Sequence, residues 1–424
     1  MGSYDDRKGG DTMKDKWIKT VSVLLVVSGM TACGMEQSAK QIAEGTNTAQ
    51  VDMNDIFNNV SQTGDVAVPQ QQQAGEIQAL NRELFDGQSI RIWKGKGNIL
   101  LVLKEDEDML YLYDVASAQI RGETKTKNWQ SADVYPYHGG YCVIGGITNE
   151  DPDGDIAAGG EAQLIEVVGD SMEHWGVFYD DSLKETRSIL LNDIVENADI
   201  AVWSVSTDGT MLGCYDLWEG LNIYDLKGEK IAELLGKGKE SKCPELLGVN
   251  AIFFDADNSQ VIFTGQTDQN GSSAASWGRS GIDGTGLENH ILECDLGAAT
   301  GYGDGKLLLG EDSIFFQGGM GFVDTETGKA VYHKEIGSAL PVSGPFFSDD
   351  GTVFATAALD TYQLEVSIWR TEDFSLIHKD VIRDDREEMF YRSPQICLFP
   401  DLRACMVCMG GQNDIPQEAV LLKY

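Results

Sequence analysis

One device punctuates this chain of 424 residues: an aspartate-led turn set between two β-prone apolar runs. Asp350-Gly351 joins "GPFF" to "TVFATAAL", and "EVSIWRT" and "SLIHKDVI" follow as two further runs. Asp and Gly accept the positive φ that a strand-matched turn requires, so the pair reads as a hairpin. Four such runs in succession make a meander whose innermost strand precedes the turn. The order recurs. Thr207-Asp208-Gly209 separates "ADIAVWSVS" from "TMLGCYDL", followed by "GLNIYDLKGEKIAEL". Asp257-Asn258 separates "VNAIFF" from "SQVIFTG", Glu311-Asp312 separates "KLLLG" from "SIFFQGG", and Pro400-Asp401 separates "PQICLF" from "RACMVCMGG". Two weaker copies come first: "SIRIWKGKGNILLVLK" with "MLYLYDVASAQIRGETK", then "DVYPYHGGYCVIGGI" with "AQLIEVVGD" and "HWGVFYD". That makes seven units. A four-stranded meander cannot bury both faces alone, so units of this kind bury them against one another.

Several strands end in Asp followed closely by Gly and Lys, or in Asp-Gly-Thr. Asp324-Thr325-Glu326-Thr327-Gly328-Lys329 and Asp225-Leu226-Lys227-Gly228-Glu229-Lys230 show the first ending, and Ile282-Asp283-Gly284-Thr285 the second. On these residues the units resemble blades of the WD40-like and TolB-like (YVTN-type) β-propellers. "VSIWRTED" resembles the WD strand, but Arg370 stands where Asp is usual, so the buried Asp–His network of those repeats is expected to be absent. The resemblance covers about residues 77–424. It implies an all-β, seven-bladed β-propeller of four-stranded antiparallel blades. The last unit runs out after three strands, and Glu76 to Phe85 is expected to supply the missing outer one. Pairing of the N- and C-terminal strands then closes the ring and removes its exposed edges. An open sandwich of the same strands is the competing arrangement. Propellers host many unrelated functions, so the resemblance implies a fold and no activity.

The N-terminal segment is of another kind. "MKDKWIKTVSVLLVVSGMTAC" starts with Lys14, Lys16 and Lys19, passes through a short apolar run and ends in small residues before Cys33. The run is too short for a bilayer core of about 30 Å and reads as a removable signal. "MTAC" resembles the lipobox of bacterial lipoproteins, in which the cysteine becomes the lipidated first residue; Met30 replaces the more usual Leu. A plain secretory peptide is the alternative. One acyl chain binds a membrane marginally and two hold firmly, so a diacylated Cys33 tethers the chain without a transmembrane helix. Residues 1–32 are thus an N-terminal extension with a signal peptide. Residues 33–75 are a polar, Gln-rich stalk whose composition cannot offset its ordering entropy, and 76–424 are the propeller. The expected location is the extracytoplasmic face of a bacterial membrane.

The formal net charge is −36, and loss of residues 1–32 leaves it nearly unchanged, so the acidity belongs to the exported part. It argues against nucleic acid, whose phosphates require a basic surface. The aromatics Trp203, Phe253, Phe254, Phe346, Phe347 and Trp369 fall within apolar strands and are expected between blades. Seven cysteines follow Cys33. Cys405 and Cys408 are three apart, point to opposite faces of a strand and cannot bridge. They read as small buried hydrophobes.

Two insertions carry candidate ligand groups. "NEDPDGDIAAGGEAQ" places Asp151, Asp153, Asp155 and Glu161 on a Pro/Gly loop, where alternate carboxylates can converge on calcium, the only cofactor the sequence suggests. It matches only the first half of an EF-hand loop, with Ile156 where Gly is required, and a solvated acidic loop is the alternative. "GQTDQNGSSAASWGRSG" offers Trp277 and Arg279, which either lie exposed and stack on a sugar or peptide, or begin a core strand. His138, His174, His290, His333 and His378 are isolated, and there is no Gly-x-Ser-x-Gly elbow or phosphate loop. The expectation is a monomeric, lipid-anchored propeller that binds a protein or glycan partner at one rim without catalysis. A propeller-type glycoside hydrolase or lyase is one alternative, recognisable by two or more acids converging in the channel from different inner strands. An envelope assembly scaffold is the other.

Overall fold

The structure is a computed structural model. The chain divides into two units, Met1–Ala74 and Gly75–Tyr424. The described residues are 78–79, 82–85, 90–105, 107–148, 172–236, 241–292, 298–303, 305–310, 320–333, 342–360, 363–383, 394–409 and 418–424. All belong to the second unit.

That unit opens with β1 (Gln78–Ala79) and a single helical turn, α1 (Arg82–Phe85). Blade 1 is β2 to β5: Ile90–Lys94, Ile99–Lys104, Met109–Asp114 and Gln119–Lys125. Blade 2 is β6 to β9: Trp129–Tyr137, Gly140–Thr148, Met172–Asp180 and Glu185–Leu190. Blade 3 is β10 to β13: Val202–Val205, Met211–Asp216, Gly220–Asp225 and Lys230–Leu235. Blade 4 is β14 to β17: Leu246–Phe254, Gln260–Gln269, Ser272–Gly281 and Glu288–Ile291. Blade 5 is β18 to β21: Ala298–Gly303, Lys306–Gly310, Met320–Asp324 and Lys329–His333. Blade 6 is β22 to β25: Val342–Phe347, Val353–Asp360, Gln363–Arg370 and Leu376–Arg383. Blade 7 takes β26 (Gln395–Phe399), β27 (Ala404–Met409) and β28 (Glu418–Lys423) from one end of the unit and β1 from the other.

Every sheet is four-stranded and antiparallel, and in blades 1 to 6 spatial order follows chain order. Blade 7 reads β26-β27-β28-β1, with Gln78 opposite Leu421 and Ala79 opposite Val420. The expected closure is therefore present: a seven-bladed β-propeller whose ring is shut by its two terminal strands.

Side chains alternate across a strand, so each blade offers one apolar set to each neighbour. β27 shows the rule. Cys405, Val407 and Met409 pack towards blade 6, whereas Ala404, Met406 and Cys408 pack towards blade 1. Seven apolar clusters fill the seven interfaces, the one between blades 7 and 1 also holding Leu84 and Phe85 of α1. Trp203 and Phe254 are buried in these clusters, and Phe253, Phe346, Phe347 and Trp369 pack against them. Cys142, Cys214, Cys243, Cys397, Cys405 and Cys408 are buried free thiols. Burial lifts the Cys397 and Cys408 thiols to about 12, which keeps them protonated and inert.

Two strand assignments differ from expectation. In blade 5, "KLLLG" is the second strand and not the first, and the chain reverses before it, where Gly303 pairs with Lys306, rather than at Glu311-Asp312. The true inner strand, "AATGYG", carries almost no apolar side chain to betray it. In blade 2 the outer strand is β9, "ETRSIL", and "HWGVFYD" lies within the third. Four of its six residues are exposed, so no apolar pattern marks it.

Candidate functional site

Antiparallel order sends the connections of every blade to two opposite rims. First-to-second and third-to-fourth turns share the turn rim. Second-to-third turns and the links from blade to blade share the other, the crossover rim.

The turn rim is built by repetition. In blade 3, Ser206 Oγ donates to Asp208 Oδ1 (2.7 Å), as do Thr210 N (3.0 Å) and Thr210 Oγ1 (2.8 Å), while Met211 N donates to Ser206 Oγ (2.9 Å). Blade 6 repeats the cap. Ser348 Oγ donates to Asp350 Oδ1 (2.6 Å), Thr352 N and Oγ1 donate to it (3.0 and 2.8 Å), and Val353 N donates to Ser348 Oγ (3.2 Å). Gly209 and Gly351 sit at φ +70 and +62, as this turn demands. In blade 4, Asp255 takes the serine's place and Asn258, at φ +59, the glycine's. Burial pushes the Asp208 and Asp350 carboxyls up, but the hydroxyl and amide donors outweigh it and hold both below the usual range. Asp180, Asp225, Asp283, Asp324 and Asp373 cap the third-to-fourth turns and are held low by the hydrogen bonds they accept.

These turns are also tied to one another. Lys96 Nζ donates to His138 O (2.8 Å) and pairs with Asp181 (2.5 Å), joining blade 1 to blade 2. His138 N donates to Thr207 O (2.7 Å), and Thr207 N and Oγ1 donate to Asn258 Oδ1 (2.8 and 2.9 Å), which carries the tie through blade 3 to blade 4. Lys94 reaches the other way, pairing with Asp349 of blade 6 (2.7 Å) across the Phe399 ring of blade 7. This rim is a scaffold.

The crossover rim is unlike it. The strand ends that meet here are joined by the longer stretches of sequence, among them 149–171, 191–201, 236–245, 311–319, 334–341, 384–394 and 410–417, whereas no stretch between strand ends of the turn rim exceeds six residues. The seven second-to-third connections hold fifteen Asp and Glu residues and no Lys, Arg or His. Near this rim Arg91 Nε pairs with Glu105 (2.6 Å) and Nη1 donates to Ala132 O (3.3 Å). Crowding by protein raises the Asp133 carboxyl above its usual range, which Arg91 partly offsets. Asp133 is the sole acidic residue on the seven first strands.

Of the residues singled out from sequence, Cys33 and Asp151, Asp153, Asp155 and Glu161 lie outside the described residues. Trp277 and Arg279 are described, and the loop expected to expose them is a hairpin of two ten-residue strands, β15 and β16. Its turn is Asn270-Gly271, both at positive φ (58 and 85), a strong hairpin signal that the sequence carried openly. Trp277 is core: 2% exposed, within the cluster between blades 4 and 5 and stacked on His290 (4.7 Å between ring centroids). Arg279 pairs with Glu288 (2.9 Å) and donates from Nη1 to Thr325 O of blade 5. The two share the face of the strand that looks to blade 5, but Trp277 is buried there and Arg279 is tied to Glu288 and Thr325, so they form no exposed joint platform. Arg279 instead lines an open recess of about 560 Å³ on the turn rim, with Ser259, Gln260, Asp283 and Thr285. Sequence reasoning passed over Leu217 and Trp218, two bulky apolar residues in the short turn "DLWEG" on the crossover rim.

No family model matches this chain, and no curated protein matches it. Solved structures do. The hydrazine synthase of Kuenenia stuttgartiensis is 11% identical, covering 84% of this chain and 99% of that one, with a TM-score of 0.48. A chain from a structure of the mitotic checkpoint complex is 13% identical over 89% of this chain and 100% of its own (TM-score 0.47). The Dos1 propeller is 11% identical over 79% and 78% (TM-score 0.42). None of these carries a function over to this chain.

Proposed function

We propose that this chain is an exported, lipid-anchored β-propeller that binds a protein or glycan partner, without catalysis, at its crossover rim. The observation that carries the reading is the inequality of the two rims. One spends its polar groups on capping its own turns and tying blade to blade. The strand ends of the other are joined by every stretch longer than six residues, and the sequence of its second-to-third stretches holds fifteen acids and no base. Variable connections held on a rigid frame are how propellers and sandwiches build recognition surfaces. The anchor rests on "MTAC" and Cys33, a segment separate from the propeller unit.

The carboxylates of the ring favour binding over hydrolysis. Glycoside hydrolysis needs two carboxyl groups flanking the scissile bond. The first strands, which form the inner wall, bring one, Asp133, and the nearby Glu105 is engaged with Arg91.

The test replaces residues 149–171 by a short Gly-Ser linker. The full chain and the variant are compared on a glycan array and in cross-linked pull-downs from detergent-solubilised envelopes. Retained folding with loss of one partner is expected; turnover of any glycan ligand, or unchanged capture, overturns the reading. For the anchor, fatty-acid labelling of the chain expressed in a bacterial host is expected to vanish in Cys33→Ala. Label on the variant refutes that part alone.

A further inference from the structure

The turn Asp216-Leu217-Trp218-Glu219-Gly220, between β11 and β12, is fixed from below and apolar on top. The buried Asp216 carboxylate accepts from Trp218 N (2.6 Å) and Glu219 N (3.0 Å), and buried Asn222 donates from Nδ2 to Glu219 O (3.1 Å). Gly220 lies at φ +77, where a Cβ would meet Leu235 O at 2.1 Å, so no other residue fits. On this braced turn Leu217 is 52% and Trp218 37% exposed. Other described second-to-third turn residues are polar: Asn270-Gly271 in blade 4, and Glu105, Glu107 and Asp108 in blade 1. Leu247 of the adjoining blade is 50% exposed, one residue before Gly248, where a Cβ would lie 3.8 Å from Tyr215 Oη. Nothing inside the fold gains from holding a tryptophan and a leucine in water. A rigid aromatic presented with its ordering entropy already spent is the profile of an interface anchor.

We propose that Leu217 and Trp218, with Leu247, form the docking point for a protein partner whose contacting segment carries apolar side chains flanked by Lys or Arg. The inference rests on the crossover rim being the binding rim and adds to it the anchor residues and the partner's chemistry. Charge selects the partner. The chain carries −36, and the braced turn itself bears Asp216 and Glu219 and no basic residue. Such a field draws a cationic segment in and repels anionic headgroups, while the Leu-Trp pair holds what arrives.

The test uses the full chain in detergent micelles and a fluorescein-labelled peptide with Leu and Phe flanked by lysines. Counterparts carry Glu for Lys or Ser for Leu and Phe. Polarisation is read at low and physiological salt. The cationic apolar peptide is expected to bind and neither counterpart to do so. Leu217→Ser with Trp218→Ser is expected to weaken binding at least about tenfold, with an unchanged thermal melt. Glu219→Lys, which leaves the apolar pair intact, is expected to weaken it at low salt only. Equal binding by the double variant or by the serine peptide overturns the proposal. So does Trp218-dependent binding to phosphatidylcholine vesicles, which would make the occupant a lipid. If replacing residues 149–171 removes the envelope partner while peptide binding ignores Leu217 and Trp218, the rim assignment stands and this inference falls. Indifference to both changes overturns both.

Discussion

The turn at Ser348–Thr352 and the turn at Asp216–Gly220 use the same chemistry for opposite ends. In each, an aspartate carboxylate collects N–H or O–H donors from residues two or three positions away. At Ser348–Thr352 the residues so held are small and polar, and their neighbours are other turns of the same rim. At Asp216–Gly220 they are tryptophan and glutamate, and Trp218 faces water together with Leu217 beside it. A cap can thus lock a frame or brace a display. Which one it does is decided by the side chains placed above it.

That contrast can be broken most readily through stability. Asp208→Ala and Asp350→Ala each leave the serine and threonine donors of a cap without their acceptor. Each is expected to destabilise by about 1–3 kcal/mol, read from denaturant midpoints. Replacing residues 149–171 is expected to shift the same midpoint by much less, because loop length enters closure entropy only logarithmically. Equal losses would erase the distinction between the rims.

Acid sharpens it next. Asp114, Asp180, Asp208, Asp225, Asp257, Asp283, Asp324, Asp350 and Asp373 all lie on the turn rim with carboxyls held below their ordinary range. Each contributes stability that is complete above the unfolded value, about 3.9, and is lost as pH falls through the lower folded value. Stability is therefore expected to drop steeply below about pH 4. Hydrogen exchange in mild acid should open the turn rim before the crossover rim, and Asp208→Asn with Asp350→Asn should flatten the slope. Uniform opening would contradict the assignment.

Lys94→Ala removes one tie between blades and is expected to cost about 1 kcal/mol, since the ammonium is largely sheltered and also sits over the Phe399 ring. Leu217→Ser with Trp218→Ser is the smallest, within about 0.5 kcal/mol, and a larger loss would make the pair part of the core.

How much of this could be read beforehand follows from what a pattern can carry. Blade 6 was legible in full because Asp350-Gly351 is flanked by strands with dense apolar side chains. Blade 5 was read one strand out of step, since "AATGYG" has glycine and alanine where a pattern would need bulk, and its neighbours stand in for it. Ring closure was legible from a deficit, three strands where four were due. The candidate site was read least well. Trp277 drew notice for its Gly/Ser-rich surroundings, although Asn270-Gly271 marked them as a hairpin. Trp218 drew none, because a tryptophan two residues past a strand looks like the strand's own end. Exposure is set by the neighbouring blade, and no local window contains it.

The two-residue strand β1 has a consequence for synthesis. Gln78 and Ala79 leave the ribosome early, yet their partners Leu421 and Val420 are more than three hundred residues behind. Until those arrive, Ile90, Ile92, Leu100 and Tyr113 of blade 1 have no opposite wall. A stalled or clipped product ending before β26 therefore carries a sticky flank, a natural target for holdase chaperones and quality-control proteases. The seam that makes the finished ring edgeless is the last part of it to exist.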